Sequence, residues 1–249
     1  MNKRAWVIAS AIGCAIGAPA GAATSQPGTA PHSNTSHSNA YGTRAGATGK
    51  EASDEANGAR SELNRAVQVV KTMKTDNHLK NLLQQARGVF ILTRYGRAAL
   101  GVGGQGGEGV LVTRKDGHFG NPVFYNMGGV SIGPQAGITG GEVAFLLMSD
   151  RAVKQFESKG NFSINADAGL TIVAYSARGQ GSAGKLSDVV VWSQTKGAYA
   201  GATVGITDVV VDHNKNRAYY AQRNVTPKQI IAGEVPNPHS NVLGSALNA

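Results

Sequence analysis

The chain has 249 residues, with 24 lysines and arginines, 15 aspartates and glutamates, and a formal net charge of +9. Cys14 is the only cysteine, which excludes an intramolecular disulfide. The sequence has no His-Glu-x-x-His motif, no paired carboxylates and no Cys/His cluster, so we predict neither a metal nor a cofactor.

Residues 1–22 are typical of a secretory signal peptide. Lys3 and Arg4 give a charged start, an apolar run begins at Trp6, and small residues up to Ala22 offer cleavage sites. The apolar run is too short and too rich in glycine for a transmembrane span. Cleavage would remove two basic residues and lower the formal charge from +9 by two, to +7. We therefore predict an exported protein in the periplasm or at the outer membrane.

Cys14 leaves two alternatives open. The residues before it, Ala11-Ile12-Gly13, partly resemble a bacterial lipobox, in which the cysteine is acylated and becomes the first residue of the mature chain. In the other reading, Cys14 belongs to the apolar run and is removed with the signal. The sequence thus predicts either a lipid-anchored protein or a freely exported one.

Residues 23–50 form a polar linker. They are mainly Ser, Thr, Gly, Asn, His and Ala, and they cannot bury enough apolar surface to offset the entropy of ordering. We predict that this linker is disordered and that residues 51–233 form one domain of ordinary size.

A helical segment follows, over residues 51–86. Asp76 and Asn77 interrupt it, so we expect a second helix over residues 78–85. Two side-chain stripes run along the segment at helical spacing. The apolar stripe contains Ala59, Leu63, Ala66, Val70 and Met73, and the basic stripe contains Arg60, Lys71, Lys74 and His78.

This amphipathic pattern has two readings. In one, a basic helix contacts an anionic membrane. In the other, the helix packs on a sheet and its basic side is solvated. The apolar stripe favours packing, whereas the basic stripe does not discriminate between them.

Residues 88–148 alternate apolar β-formers with glycines, the pattern of short, twisted and closely packed strands. Residues 115–117 predict a hairpin turn, and Ser149 is expected to cap a short helix over residues 150–156. The predicted strands are 88–93, 98–102, 109–114, 119–127, 141–148, 161–175, 189–194, 199–211 and 218–221, with a turn at 213–216.

Strands dominate, and helical segments lie at the two ends and once in the middle. We therefore predict an α+β fold with a mainly antiparallel, glycine-rich sheet, curved or barrel-like. The N-terminal amphipathic segment and short helices pack on this sheet. A last helix over residues 226–233 precedes a loose tail, residues 234–249.

Three motifs of catalytic type occur, and their context argues against each. Residues 101–106 match GxGxxG and residues 179–185 are close to a phosphate loop, but strands follow both where a helix is required. Ser131 is the centre of a GxSxG match, with Asp188 and His213 later in the order of a serine hydrolase. The glycines after Ser131 disfavour the helix that such an elbow needs. We predict no enzyme and keep a secreted hydrolase using Ser131 as an alternative.

Short motifs over residues 63–233 together resemble a SYLF domain. They are Ala86-Arg-Gly-Val-Phe-Ile-Leu92, Gly109-Val-Leu-Val112, Lys115-Asp-Gly117, Gly133-Pro-Gln-Ala-Gly137, Phe145-Leu-Leu-Met148, Ser193-Gln-Thr-Lys-Gly-Ala-Tyr-Ala-Gly201 and Asn216-Arg-Ala-Tyr-Tyr220. The resemblance implies binding to phosphoinositides or other anionic lipids, with actin-regulatory roles in eukaryotic members. It also implies a lipid-binding surface that includes a basic amphipathic N-terminal helix.

We therefore predict non-enzymatic binding of anionic phospholipid at the bacterial cell envelope, with no nucleic acid as partner. The predicted lipid contacts are Arg60, Lys71, Lys74, Lys80, Arg87, Arg94 and Arg97. A host protein or actin as partner follows from the resemblance alone. A structural or adhesive envelope protein without a small ligand is the remaining alternative.

Overall fold

The computed structural model describes residues 49–157, 161–164, 169–175, 187–194 and 206–249, but not the side chains of residues 97–105, 129–140 and 206–207. The described residues form one compact unit. The predicted signal peptide, Cys14, nearly all of the linker and the loop at residues 179–185 lie outside them. Among the described residues, no helix is long and apolar enough to cross a membrane.

Two helices begin this part of the chain, as predicted. Helix α1 spans Gly49–Met73 and α2 spans Asn77–Gln85. Asp76 caps α2, because its carboxylate accepts hydrogen bonds from the backbone N–H groups of His78 and Leu79, at 2.8 and 3.2 Å. The five residues of the apolar stripe of α1 are each at most 3% exposed. The reading in which this stripe packs on the protein is therefore confirmed.

The described strands form one mixed sheet that is mostly antiparallel. They are β1 Gly88–Lys115, β2 His118–Phe119, β3 Val123–Leu147, β4 Phe162–Ile164, β5 Ile172–Ala174, β6 Val189–Ser193 and β7 Ile206–Val211. The strand order is β2-β1-β3-β6-β5, and β7 pairs with both β3 and β4. Only β5 and β6 pair in parallel among these strands. The sheet curls into a half-barrel with helices packed on it, which confirms the predicted α+β class.

Strands β1 and β3 form one long antiparallel hairpin where the sequence predicts several short strands. Gly88 lies opposite Leu147 at one end, and Leu111 lies opposite Val123 at the other. Two irregularities interrupt the register, and such bulges bend and twist a strand. Because each strand supplies backbone partners to the other, glycine-rich stretches that would end an isolated strand stay paired here.

The tight turn between β1 and β2 lies where the sequence predicts it. Asp116 and Gly117 both have positive φ, at 51° and 84°. Positive φ at both central residues is the type I′ geometry that suits a two-residue hairpin and favours Asp-Gly. Pro122, which lacks a backbone N–H, lies between β2 and β3 and explains why the strand predicted at 119–127 is divided.

Buried aromatic side chains form a cluster around Phe90. The ring of Phe90 lies 5.0 Å from that of Phe156 and 5.9 Å from that of Tyr125, between centroids. Gly109 gives Phe90 its space, since a Cβ atom at that position would lie 2.6 Å from two atoms of the ring. This close approach explains one glycine in β1 by packing.

Two short helices begin where the sequence predicts them, and Ser149 is the cap it predicts for the first. Helix α3 spans Asp150–Gln155 and begins after Ser149, whose hydroxyl accepts a backbone N–H at 3.2 Å. Helix α5 spans Pro227–Ile231 and begins after Thr226, which forms a capping box with Gln229.

The segment after β7 is a helix, α4, over His213–Tyr220, so the predicted turn at 213–216 and strand at 218–221 are wrong. Asp212 caps α4 by accepting a backbone N–H of its first turn at 2.9 Å. Tyr219 is 1% exposed. The aromatic residues that resemble a strand in sequence thus form the buried end of a helix.

The C-terminal residues also differ from their prediction. The sequence suggests a loose tail at 234–249, yet helix α6 spans Val242–Asn248 and packs against α1. Leu243 and Leu247 are 0% and 5% exposed. Asn241 caps the helix by accepting a backbone N–H at 3.0 Å. The segment is therefore a capped helix with two buried leucines and not a loose tail.

Candidate functional site

Two of the predicted lipid contacts, Arg60 and Lys71, lie on one side of α1. Eleven residues separate them, which is about three helical turns, so both side chains project in nearly the same direction. Both are exposed. Neither forms an ion pair with any residue that the structure describes. We call this pair the α1 basic face.

Lys74 lies nearly one turn beyond Lys71, but its side chain contacts another helix. Its ammonium group donates hydrogen bonds to the carbonyl oxygens of Ala246 and Leu247, at 2.6 and 3.2 Å. These carbonyls belong to the last turn of α6, where a cation is favourable. Burial, and then the charge of Lys80, lower the pKa of Lys74. Lys74 therefore links α1 to α6, and lipid contact by this residue stays a prediction.

Lys80 and Arg87 are the next predicted lipid contacts along the chain. Lys80 is exposed on α2, and Arg87 is exposed between α2 and β1. The guanidinium of Arg87 lies 3.8 Å from the carboxylate of Asp150, with both side chains more than half exposed. An exposed pair of this kind contributes at most about 1 kcal/mol. Arg87 thus remains available to an anion at little cost.

The two remaining predicted contacts lie on β1. Arg94 forms an ion pair of 3.3 Å with Glu108, which also belongs to β1. Arg97 lies farther along β1, and its side chain is not described. The structure therefore places Arg94 next to an acidic group that the sequence does not reveal as its partner.

An open pocket of about 160 Å³ lies where α2, the β1–β2 turn and the end of α6 meet. Lys74 and Lys80 are predicted lipid contacts, whereas Arg114 and His118 were not predicted from the sequence. We call it the hairpin pocket, and it is lined by Lys74, Lys80, Leu83, Gln84, Arg114, Gly117, His118, Leu247, Asn248 and Ala249. None of these lining residues has an acidic side chain.

Arg114 holds one wall of the hairpin pocket in place. Its guanidinium donates to the carbonyl oxygens of Leu83, Ala86 and Gly117, at 3.2, 3.1 and 2.7 Å. It also lies 4.2 Å from the centre of the Phe119 ring, a favourable cation–π distance. Two of the three carbonyls end α2, so Arg114 caps that helix. Among the described residues, main-chain carbonyls and the Phe119 ring face its charge, and no carboxylate forms an ion pair with it.

Lys215 is the centre of a buried charge network that the sequence analysis missed. Its ammonium nitrogen lies 2.8 Å from Glu62, 3.5 Å from Glu108 and 3.6 Å from Asp212. Burial raises the pKa of Glu62 to about 7, against the opposing charge of Lys215. Burial by itself lowers the pKa of Lys215, but the charge of Glu62 and the other two carboxylates outweighs it and leaves that pKa raised. One ammonium group thus serves three carboxylates and ties α1, β1 and α4 together.

The catalytic-type motifs have the wrong local structure for their chemistry. Ser131 lies within β3, opposite Gly103 of β1, where a nucleophile elbow requires a turn from strand to helix. The same holds for the GxGxxG match, which lies within β1. Asp188 forms a salt bridge with Arg151, and His213 is the first residue of α4. These positions give the hydrolase alternative no support.

Some of the site residues that were not predicted have a local signal in the sequence, and others have none. Glu62 lies between Ala59 and Ala66 on the apolar side of α1. A charged residue at such a helical position indicates a buried partner of opposite charge. Arg114 and His118 flank a turn that the sequence does predict. Their convergence with α2 and α6 depends on tertiary packing, for which no local signal exists.

Known proteins similar to this chain share its predicted family. Residues 128–249 match the family described as "Ysc84: Las17-binding protein actin regulator". Protein YSC84 of Saccharomyces cerevisiae is 29% identical over 192 residues, which cover 72% of this chain and 41% of that protein. LAS seventeen-binding protein 3 of the same yeast is 28% identical over 192 residues, with the same two coverages. The predicted resemblance to the SYLF family is therefore confirmed.

A human relative extends the comparison. The SH3 domain-containing YSC84-like protein 1 of Homo sapiens is 25% identical over 161 residues, covering 64% of this chain and 46% of that protein. The chain thus spans less than half the length of these curated relatives. No solved structure matches it. The family is described by what it binds and regulates, not by a reaction.

Proposed function

We propose that this protein binds anionic phospholipids at the bacterial cell envelope and catalyses no reaction. The observation that carries the proposal is the α1 basic face, where Arg60 and Lys71 are exposed and lack an ion-pair partner among the described residues. Lys80 and Arg87 extend the same kind of surface along the chain. The resemblance to the SYLF family, which implies lipid binding, supports the same reading.

The burial of α1 favours electrostatic contact rather than insertion. Its apolar stripe lies in the core, so in this conformation the helix offers a membrane only its polar sides. Each lysine or arginine close to an anionic surface contributes about 1 kcal/mol. Such contacts are screened by salt over about 8 Å at physiological ionic strength. We therefore expect reversible, salt-sensitive binding at the membrane surface.

Vesicle co-sedimentation tests this proposal. The chain is mixed with vesicles of phosphatidylcholine alone or of phosphatidylcholine with phosphatidylglycerol, at low and at high salt. We expect sedimentation with the mixed vesicles at low salt and its loss at high salt. Equal partition onto both kinds of vesicle, or none onto either, would contradict the proposal.

We also propose export, since residues 1–22 read as a signal peptide. An exported chain meets phosphatidylglycerol, cardiolipin and lipid A phosphates rather than cytosolic lipids. N-terminal sequencing of the protein from the cell envelope is expected to begin near Ala23 or at an acylated Cys14. Recovery of cytoplasmic protein with Met1 intact would show that the chain stays inside the cell.

A protein partner is the second candidate function. It is favoured by the family description, which names Las17 binding and actin regulation. The relatives concerned are more than twice as long as the matched region, so their partners need not depend on this domain. Co-sedimentation with actin filaments would support this candidate, and a chain that stays in the supernatant would leave lipid binding as the proposal.

A further inference from the structure

The hairpin pocket gathers positive charge from distant parts of the chain. Lys74 comes from the end of α1, Lys80 from α2, and Arg114 from the end of β1. No carboxylate, that of Ala249 included, lies within 4.0 Å of any of these three cations in the described part of the chain. The network around Lys215 shows the opposite arrangement, in which one cation serves three carboxylates. The positive charge of the pocket is thus uncompensated by side chains.

Two of the pocket's cations are fixed by the fold. Lys74 spends two of its three ammonium hydrogens on the carbonyls of α6, and Arg114 is held by three carbonyls. The side chain of Lys80 forms no hydrogen bond or ion pair with a described residue. Lys80 and His118 are both exposed. The pocket therefore combines two cations held in place, Lys74 and Arg114, with two exposed side chains that can donate hydrogen bonds, Lys80 and His118.

Repulsion between the like charges of the pocket favours the binding of an anion. Burial and the charge of Lys80 both lower the pKa of Lys74, which means that the two ammonium groups disfavour each other. A phosphate oxygen between them would accept hydrogen bonds from both and remove that repulsion. The volume of about 160 Å³ is below that of sites for drug-sized ligands, which favours a single small group.

We propose that the hairpin pocket binds a phosphate group, with Lys80 and His118 closing over an oxyanion that Lys74 and Arg114 attract. If the phosphate belongs to a lipid headgroup, this proposal rests on the proposed function, and the headgroup binds in the hairpin pocket. A free phosphate or a soluble phosphomonoester has the same chemistry. The α1 basic face then contacts the membrane surface, and the pocket selects among anionic lipids.

The first arm of the test uses inorganic phosphate and the whole chain. Phosphate is titrated into the wild type while the backbone amide signals of Gly117 and His118 are followed by NMR. We expect saturable shifts, and a dissociation constant about fivefold higher in Lys80→Gln, the loss expected for one cation. Lys228→Gln, which removes an exposed lysine on α5, is the matched control and should behave as the wild type. Absent shifts, or equal affinities in the two variants, would overturn the proposal.

The second arm identifies the source of the phosphate. Vesicles of phosphatidylcholine with phosphatidic acid, a phosphomonoester lipid, are compared for the wild type, Lys80→Gln and Lys228→Gln. Binding about fivefold weaker in Lys80→Gln alone, together with saturable phosphate shifts in the first arm, supports a lipid headgroup in the pocket. Equal vesicle binding by all three proteins, with no phosphate shifts, overturns the pocket and leaves the proposed function standing. Phosphate shifts without any vesicle binding support the pocket as a site for soluble phosphate and contradict the proposed function.

Discussion

Lys215 donates a hydrogen bond of 2.8 Å to Glu62 across the contact between α4 and α1, and the two side chains are only 5% and 0% exposed. Removing one partner of a buried ion pair is costly, because the other charge remains without compensation. The pair therefore joins α1 to α4, in addition to the packing of the apolar stripe. The orientation of the α1 basic face depends on it.

Stability should fall as the pH rises from about 4.5 to about 7. In this window the folded chain holds a proton on Glu62 that the unfolded chain has released, because burial raises its pKa from 4.5 to about 7. The state that binds more protons loses stability as protons become scarce, by at most about 1.4 kcal/mol per pH unit for one group. Urea unfolding should show this loss in the wild type and a smaller one in Glu62→Gln. Identical pH profiles for the two proteins would contradict the assignment.

Lys215→Met should lower the free energy of unfolding at neutral pH by about 3–5 kcal/mol, the usual cost of breaking a buried pair. The loss should be smaller near pH 5, where Glu62 is protonated in the folded state. Glu62→Leu/Lys215→Met, which removes both charges, should recover part of the stability. A single variant as stable as the wild type in urea would show that the network does not hold α1.

Gly109→Ala should destabilise the protein by about 1–3 kcal/mol, the cost of overpacking a core. Its Cβ atom would lie 2.6 Å from the ring of Phe90 and 2.8 Å from Leu92. Gly58→Ala is the matched control, since nothing lies within 4 Å of a Cβ atom there. In the middle of α1 that change should stabilise by about 0.5–1 kcal/mol. Equal effects on the denaturation midpoint would count against the packing of β1.

Leu243→Ala should cost about 2–5 kcal/mol, because it leaves a cavity between α6 and α1. Its neighbour Val242 is 40% exposed, so Val242→Ala should change the stability by no more than about 0.5 kcal/mol. Thermal unfolding of the two variants makes the comparison. If both variants unfold with the wild type, the C-terminal residues are a loose tail after all.

Local signals in the sequence predict much of this fold. The caps at Asp76 and Ser149, the start of α5 and the turn at Asp116-Gly117 lie where the sequence suggests, because each depends on hydrogen bonds or φ angles within a few residues. The α+β class follows from the order of such elements. Helix α4 is the exception. Its residues resemble a turn and a strand in sequence, yet they form a helix that Asp212 caps.

The candidate site is less visible in the sequence because its contacts are distant. Lys74 and Lys71 look equivalent on a helical wheel, yet only Lys74 meets the end of α6, 172 residues away. Glu62 and Lys215 are separated by 153 residues. A lysine that caps a helix and a lysine that faces a membrane have the same local sequence, so only the packed structure separates them.

The most direct test of lipid binding through α1 is co-sedimentation of Arg60→Gln/Lys71→Gln with vesicles containing phosphatidylglycerol. Losing both cations should weaken binding by about 2 kcal/mol, on the order of thirtyfold, without unfolding a protein whose replaced side chains are exposed. Lys154→Gln/Lys228→Gln removes the same charge from α3 and α5 and should bind within a few-fold of the wild type. Equal losses in the two double variants would show that only net charge matters, and unchanged binding by folded Arg60→Gln/Lys71→Gln would contradict the α1 basic face as the lipid contact.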